Sequence, residues 1–352
     1  MHGIFTIYRK ELEDHFSSTR FLLISALIVM VGVIISSMVG MSIQEETRGM
    51  AKPTLLFLLL FTATGKLFSF VQFIGFFGPL IGIFLGFDSI NRERVSRTLS
   101  KLVSQPIYRD SVINAKFLAG VTIIAIILVA IVLLISGLGI RLIGVVPGPE
   151  EIWRLAIYVV ISLLYISFWL GISILFSVVF KSTATSALAS LAIWIFFSFF
   201  ISLGAGFMAD AVAPISQSGG NMDPNVVIKH EQISRTVSLV SPMTLYGDAT
   251  NIVLDPTRKT TRALILMGPL ERLSLSRFQS PLPLVQSIII VIPHLISIVA
   301  ITFLTFGICY LVFMRQEIAA GKGHDAGRVV VRHTLTGRTG QPGDQAFFDQ
   351  PF

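Results

Sequence analysis

The stretch DSINRERVSRTLSKLVSQPIYRDSVINAK (88–116) lies between two apolar runs, LFSFVQFIGFFGPLIGIFLGF (67–87) and FLAGVTIIAIILVAIVLLISGLGI (117–140). Neither run contains a charged residue, and each has about the 20 residues that an α-helix needs to cross the hydrocarbon core of a bilayer. The segment between them carries six Lys or Arg residues. This pattern predicts two transmembrane helices joined by a short basic loop.

The rest of the chain repeats this apolar pattern. Of its 352 residues, 53% are hydrophobic and only 13% are charged, whereas a soluble domain has about a quarter of its residues charged. The sequence therefore predicts an all-α polytopic membrane protein with six transmembrane helices. The predicted spans are 21–41, 67–87, 117–140, 155–180, 183–209 and 284–314. The lone Cys309 excludes an intramolecular disulfide.

The distribution of Lys and Arg predicts the orientation. An even number of spans places both termini on one side. The N-terminal arm, loop 88–116, Lys181 and the C-terminal tail carry fifteen basic residues, whereas the short loops on the other side carry five. Because basic residues are enriched in cytoplasmic loops, both termini are predicted to be cytoplasmic. The net charge of +7 is then a topology signal, and nucleic-acid binding is not predicted.

Segments outside the spans have distinct predicted roles. Residues 1–20 carry Ile4, Tyr8, Leu12 and Phe16 at i, i+4 spacing, which favours an amphipathic interfacial helix over a solvated arm. Within 21–209, loop 88–116 is the main cytoplasmic piece. Segment 210–283 is predicted to be external, with a helix in 226–240. Pro293 is expected to break the sixth span, and the polar tail 315–352 is predicted to be disordered.

Glycines at a four-residue interval mark the second span. Gly78, Gly82 and Gly86 fall on one helical face. Small residues let another helix approach closely where lipid gives no hydrophobic driving force. A helix-packing face is therefore predicted, although glycine is also common in membrane helices generally.

The sequence lacks the usual signatures of enzymes and ion-coupled carriers. No P-loop, catalytic serine motif or metal-ligand spacing is present, so no catalytic residue, cofactor or metal is predicted in this chain. The six predicted spans contain no Asp, Glu, Lys or Arg. A carrier driven by a buried carboxylate is therefore disfavoured, which leaves His294 as the candidate for a proton relay. A structural role is the more common one for such a histidine.

Loop 88–116 itself has a helical pattern. Asp88 or Ser89 can cap a helix start, and an apolar stripe follows at i, i+4, i+7 and i+8. The stripe consists of Val95, Leu99, Leu102 and Val103. Charged residues on the other faces favour a docking helix about as strongly as a loop whose charges only fix topology.

The motifs in this loop resemble those of the ABC-2 type permease family, the membrane subunits of ATP-driven exporters. The family pattern has an acidic-basic pair, a Thr-Leu step, further apolar residues, a proline, a basic residue and a lysine at the next span. The corresponding residues are Glu93-Arg94, Thr98-Leu99, Leu102, Pro106, Arg109 and Lys116. YRKEL (8–12) and VSLVSPMTLYGDA (237–249) are also similar to family segments, so the likeness covers most of the chain.

The resemblance implies a half-transporter. Two permease chains, identical or paralogous, would assemble with two cytosolic ATPase subunits that bind ATP and Mg²⁺, in a cell membrane of prokaryotic type. Helix 92–103 would be the coupling helix that contacts the ATPase, with help from the N-terminal helix. The implied interface residues are Arg92, Glu93, Arg94, Arg97, Thr98, Leu99, Leu102, Pro106 and Arg109.

Two other functions remain open at this point. The chain could be a membrane-anchored assembly or binding protein that works through segment 210–283, or an ion-coupled carrier that uses His294. For a transporter, an uncharged pathway rich in Phe, Leu, Ile, Ser and Gly favours an amphipathic lipid, peptide or drug over a bare ion.

Overall fold

The structure is a computed structural model that describes residues 2–46, 55–62, 69–95, 109–214, 224–256 and 281–330. The described residues form helices and connecting turns. The α-helices are α1 (His2–Phe16), α2 (Thr19–Glu46), α3 (Leu59–Thr62), α4 (Phe70–Gly86), α5 (Asn91–Val95), α6 (Arg109–Ile143), α7 (Pro149–Val179), α8 (Thr183–Ile195), α9 (Ile201–Val212), α10 (Pro224–Ser238), α11 (Pro242–Leu254) and α12 (Leu284–Val330). A 3₁₀ turn (Leu56–Leu58) precedes α3, and a π-helical turn (Phe196–Phe200) joins α8 to α9.

The predicted six spans are confirmed among the described residues. Each predicted run coincides with a helix long and apolar enough to cross a membrane; these are Phe21–Glu45, Phe70–Val95, Asp110–Ile143, Pro149–Val179, Thr183–Val212 and Leu284–Arg315. The helices of the third and fourth spans, α6 and α7, begin well before their apolar runs. Their first two turns contain charged residues that contact other helices, and hydropathy alone assigns such residues to loops.

Helices α4 and α7 form the centre of the bundle. About two thirds of the apolar window is buried in each, at 67%, whereas only 11% is buried in the fifth span and 17% in the sixth. Helix α7 packs against α4, α6, α8, α11 and α12. The fifth and sixth spans therefore present most of their apolar surface to lipid or to another protein chain.

Part of segment 210–283 packs back onto the spans. Helix α10 covers most of the helix predicted in 226–240 and ends before Ser241 and Pro242. Helix α11 then lies against α7 and α12, and its Tyr246 is almost fully buried. The described part of this segment is thus continuous with the bundle core.

The predicted break at Pro293 is wrong. Helix α12 runs without interruption from Leu284 to Val330 and contains Pro293. Membrane helices tolerate an interior proline when neighbouring groups satisfy the freed backbone atoms. The Ser297 hydroxyl donates to the carbonyl of Pro293 itself over 2.9 Å, whereas the carbonyl to which the proline donates no hydrogen bond is that of Ile289. The same helix extends into the tail for which disorder is predicted, and residues 331–352 lie outside the described part of the chain.

Candidate coupling site

The candidate site lies at the end of the bundle that carries α1 and α5, called here the near end. The opposite end, where α7 begins, is called the far end. Helix α5 follows α4 after a short turn and is capped by another span. The backbone amides of Ile90 and Asn91 donate to the hydroxyl of Ser177 over 3.0 and 3.2 Å. The first amides of a helix lack intrahelical partners, so Ser177 attaches the start of α5 to the last turn of α7.

Arg94 makes a second attachment to α7. Its guanidinium donates to the carbonyls of Val178 and Phe180 over 3.0 and 3.5 Å. The last carbonyls of a helix lack intrahelical donors and carry partial negative charge, which favours a cation at this position. Helix α5 therefore caps the C-terminal end of α7 while Ser177 of α7 caps the start of α5.

A buried ion cluster joins α5 to two further helices. The Lys116 ammonium of α6 lies 2.8 Å from Oε1 of Glu11 on α1 and 2.9 Å from Oε1 of Glu93 on α5. The three side chains are only 3%, 10% and 9% exposed, respectively. Because buried charges are costly unless paired, this geometry holds the three helices together at one point.

Apolar and hydroxyl contacts also hold α1 against α6. Ile7 packs on Val112 and Ala115 in a small buried cluster. Two turns further along α6, the Tyr8 hydroxyl donates to Oγ1 of Thr122 over 3.0 Å. Helix α1 is thus packed against the beginning of α6, while Arg9 and Lys10 are exposed.

The predicted interface residues fall into three groups. Arg92 is exposed, whereas Glu93 and Arg94 direct polar atoms to Lys116 and to the end of α7. Arg109 is the first residue of α6, and its side chain is not described. The remaining predicted residues lie outside the described part of the chain; they are Arg97, Thr98, Leu99, Leu102 and Pro106.

The sequence alone does not show that Glu11, Glu93 and Lys116 form a buried cluster. Glu11 is part of the YRKEL segment and Lys116 is part of the loop pattern, so the resemblance drew attention to both residues. It did not indicate that they contact each other across 105 positions. The available signal was an ionisable residue at the boundary of an apolar run, where burial is costly and functional roles are common.

The glycine face of α4 lies against α7. A Cβ atom placed on Gly82 would lie 2.7 Å from the Ile166 carbonyl oxygen and 2.9 Å from the Leu170 nitrogen. One placed on Gly86 would lie 2.9 Å from Cβ of Ser173, and Gly78 faces the Ile166 side chain. Backbone-to-backbone approach of this kind requires glycine, so the two central helices are closely packed along this face.

A second buried polar cluster lies at the far end. The fully buried guanidinium of Arg154 on α7 donates to the carbonyls of Val253 and Leu282 over 2.7 and 2.6 Å and to the Ser287 hydroxyl over 3.2 Å. It also contacts Oε1 of Glu150 at 2.8 Å. Arg154 thereby connects α7 to the end of α11 and to the start of α12.

Glu151 extends this cluster to the segment before α3. Its carboxylate accepts the backbone amides of Phe57 over 3.1 Å and of Gly148 over 2.7 Å. The side chain is buried, and the contact with Gly148 also satisfies an amide at the start of α7. Sequence analysis places Glu151 and Arg154 in a loop before the fourth span, whereas both are in helix α7.

His294, the candidate proton relay, lies near a third polar group. Its Nε2 is 3.9 Å from Oδ2 of Asp248, and Arg235 pairs with the same carboxylate. Asp248 is on α11 and Arg235 is on α10. This arrangement connects α12 to the two helices of segment 210–283.

An apolar cavity of about 820 Å³ opens between α2, α4 and α8. Its lining side chains are all hydrocarbon or aromatic, and they include Ile28, Phe73, Phe77, Phe84 and Leu191. The cavity can hold a molecule of the size of a drug or a lipid chain, and it offers no charged group to bind an ion.

A comparison with protein families agrees with the fold. A model described as ABC-2 family transporter protein matches residues 5–318. The match spans the first helix through the sixth span, and the chain belongs to this family of transporter membrane proteins. It is a multi-pass membrane protein and a transporter membrane subunit. No curated protein matches the chain.

Proposed function

We propose that this chain is the permease subunit of an ATP-driven exporter and that a separate cytosolic ATPase, which binds ATP and Mg²⁺, drives it through segment 88–116. The observation that carries this proposal is the attachment of α5. Ser177 and Arg94 join α5 to α7, and Glu93 joins it to α6 and α1. A force applied to segment 88–116 would therefore reach several spans.

In this proposal the near end faces the cytoplasm of a cell with a prokaryotic type of membrane. The basic residues on the N-terminal side support that orientation. Arg92, near the start of the segment, is exposed. The coupling helix would extend from Arg92 through the Thr98-Leu99 step to Val103, and the ATPase would contact the part beyond α5.

A second permease chain would complete the transporter. The fifth span is the least buried of the six, and its exposed face includes Phe196, Phe200 and Phe207. Helix α8 of this span also borders the apolar cavity. A homodimer formed along this span would bury these phenylalanines between the two chains, and the lining of the cavity in each chain favours an amphipathic substrate with a large apolar part.

Co-purification tests the proposal directly. The full chain, extracted in mild detergent from its own cells, is expected to carry a P-loop ATPase in equal amount. A Leu99→Asp variant is expected to lose the ATPase because an aspartate would disrupt the apolar stripe of the coupling helix. Val146→Asp is the matched control, since Val146 is 73% exposed in the turn before α7 at the far end.

The outcomes separate the candidate functions. Loss of the ATPase in the Leu99 variant alone supports the permease, provided that both variants elute as monodisperse protein. Reproducible absence of an ATPase from the parent chain would favour the binding protein that works through 210–283. Transport that persists without ATP and fails in His294→Ala would favour the ion-coupled carrier.

A further inference from the structure

Lys116 has an unusual position among the charged residues of the near end. It lies in the second turn of α6, almost fully buried, and bridges two carboxylates that belong to different helices. The three residues are far apart in sequence: Glu11, Glu93 and Lys116. Each element has its own apolar or backbone contacts, yet a single ammonium group connects α1, α5 and α6.

The electrostatics explain why the bridge requires a cation. Removal of one member of a buried ion pair leaves an uncompensated charge, which is strongly destabilising. His15 lies one turn from Glu11, but burial lowers its pKa, and the nearby Glu11 carboxylate only partly offsets this effect. The imidazole is therefore neutral at neutral pH and does not replace the ammonium. Asp88 and Arg92 also act on His15 electrostatically, with opposite signs.

The bridge complements the attachment of α5 to α7. Ser177 and Arg94 connect α5 to the central helix α7. Lys116 connects the same short helix to α6 and to α1. Helix α5 thus lies between two groups of helices: the core pair α4 and α7 on one side, and α1 with α6 on the other.

We propose that Lys116 is a positioning residue that makes α1, α5 and α6 move as one body, so that displacement of segment 88–116 moves the third span together with the N-terminal helix. The inference deepens the proposed function and rests on it for the source of the displacement. The rigid connection itself belongs to this chain and can be measured without any ATPase.

A distance measurement in the full chain tests the connection. Spin labels at Val95→Cys on α5 and Lys10→Cys on α1, both exposed, are introduced with Cys309→Ala, and the chain is reconstituted in lipid nanodiscs. The parent is expected to give one narrow distance distribution, which Lys116→Met is expected to broaden. Lys181→Met is the matched control because Lys181 is an exposed lysine between α7 and α8. A parent-like distribution in Lys116→Met would overturn the proposal.

Two further variants keep the test decisive if Lys116→Met fails to fold. Glu11→Gln retains the pair between Lys116 and Glu93, so it is expected to broaden the α1–α5 distance distribution. The α5–α6 distance distribution, measured between labels at Val95→Cys and Leu118→Cys, is expected to stay unchanged. A triple variant with inverted charges, Glu11→Lys with Lys116→Glu and Glu93→Lys, is expected to restore the narrow distribution. Equal broadening of both distances in Glu11→Gln, or no rescue by inversion, contradicts a specific bridge.

The functional consequence is measured with the co-purified ATPase. Lys116→Met is expected to retain the ATPase and its basal turnover but to lower transport per ATP by about tenfold, the range seen when coupling networks are disrupted. Unchanged transport per ATP would contradict the role in coupling. If the parent carries no ATPase, the proposed function fails, whereas the distance measurement still decides whether the bridge exists.

Discussion

The near and far ends of the bundle both bury a basic residue, but they pair it in different ways. At the near end, Lys116 is held by two carboxylates, from Glu11 and Glu93. At the far end, Arg154 donates to two backbone carbonyls and a hydroxyl as well as to Glu150. Glu150 is 46% exposed, so the buried partners of Arg154 are mainly neutral groups.

The two ends therefore depend on different kinds of contact, ion pairs at the near end and hydrogen bonds to neutral groups at the far end. An ammonium between two carboxylates contacts each of them as a point charge, so the near-end connection depends on a single cation. A guanidinium that satisfies several fixed backbone carbonyls cannot shift without leaving them unpaired. Both ends therefore hold their helices together, but the near end depends on one cation between two carboxylates, whereas the far end depends on several hydrogen bonds from one guanidinium.

The largest effect is expected from Arg154→Met, which tests the hydrogen bonds of the far-end cluster. The variant leaves the carbonyls of Val253 and Leu282 without donors in a buried site, and each such group costs about 1–3 kcal/mol, so the free energy of unfolding is expected to fall by about 2–6 kcal/mol. Thermal unfolding in detergent micelles, followed by circular dichroism, measures the loss. Lys116→Met is expected to lose less, because water reaches the near-end carboxylates more easily. The reverse order would contradict the comparison.

A smaller effect is expected from Gly82→Ala, which tests whether α4 and α7 connect the two ends rigidly. The added methyl group would meet the Ile166 carbonyl oxygen at 2.7 Å, and overpacking of this kind costs about 1–3 kcal/mol. Gly137→Ala on α6 is the control, because no described atom lies within 4 Å of the added carbon. Equal unfolding temperatures for the two variants would show that the α4–α7 contact is loose.

The smallest effect is expected from Arg9→Ala, which tests whether burial distinguishes the near-end cluster from nearby surface pairs. Arg9 and Glu13 are 2.9 Å apart but 74% and 67% exposed. Exposed pairs contribute about 0–1 kcal/mol, so the unfolding temperature should barely change and transport should be normal. A loss as large as that of Lys116→Met would mean that α1 acts through its exposed face.

The sequence predicts the spans because each is an uncharged run, and the six helices confirm them. It does not predict the charged clusters, because Lys116 and Arg154 lie in the first two turns of helices that begin before their apolar runs. Their partners are also remote: Glu11 is 105 positions from Lys116, and Val253 is 99 positions from Arg154. The break predicted at Pro293 is wrong because that prediction considers only the local effect of proline on the chain. Helix α12 is also held by its packing against α7 and α11.

Helix α7 makes polar contacts at both ends of the bundle. Arg154 lies near its first turn and Ser177 near its last, so about 35 Å of continuous helix separates them at 1.5 Å per residue. Helix α7 packs against α4, α6, α8, α11 and α12, so a displacement of its near end would be carried along the helix to its far end. In the proposed mechanism, a displacement of α5 would therefore reach the elements that Arg154 holds without an energy source at the far end.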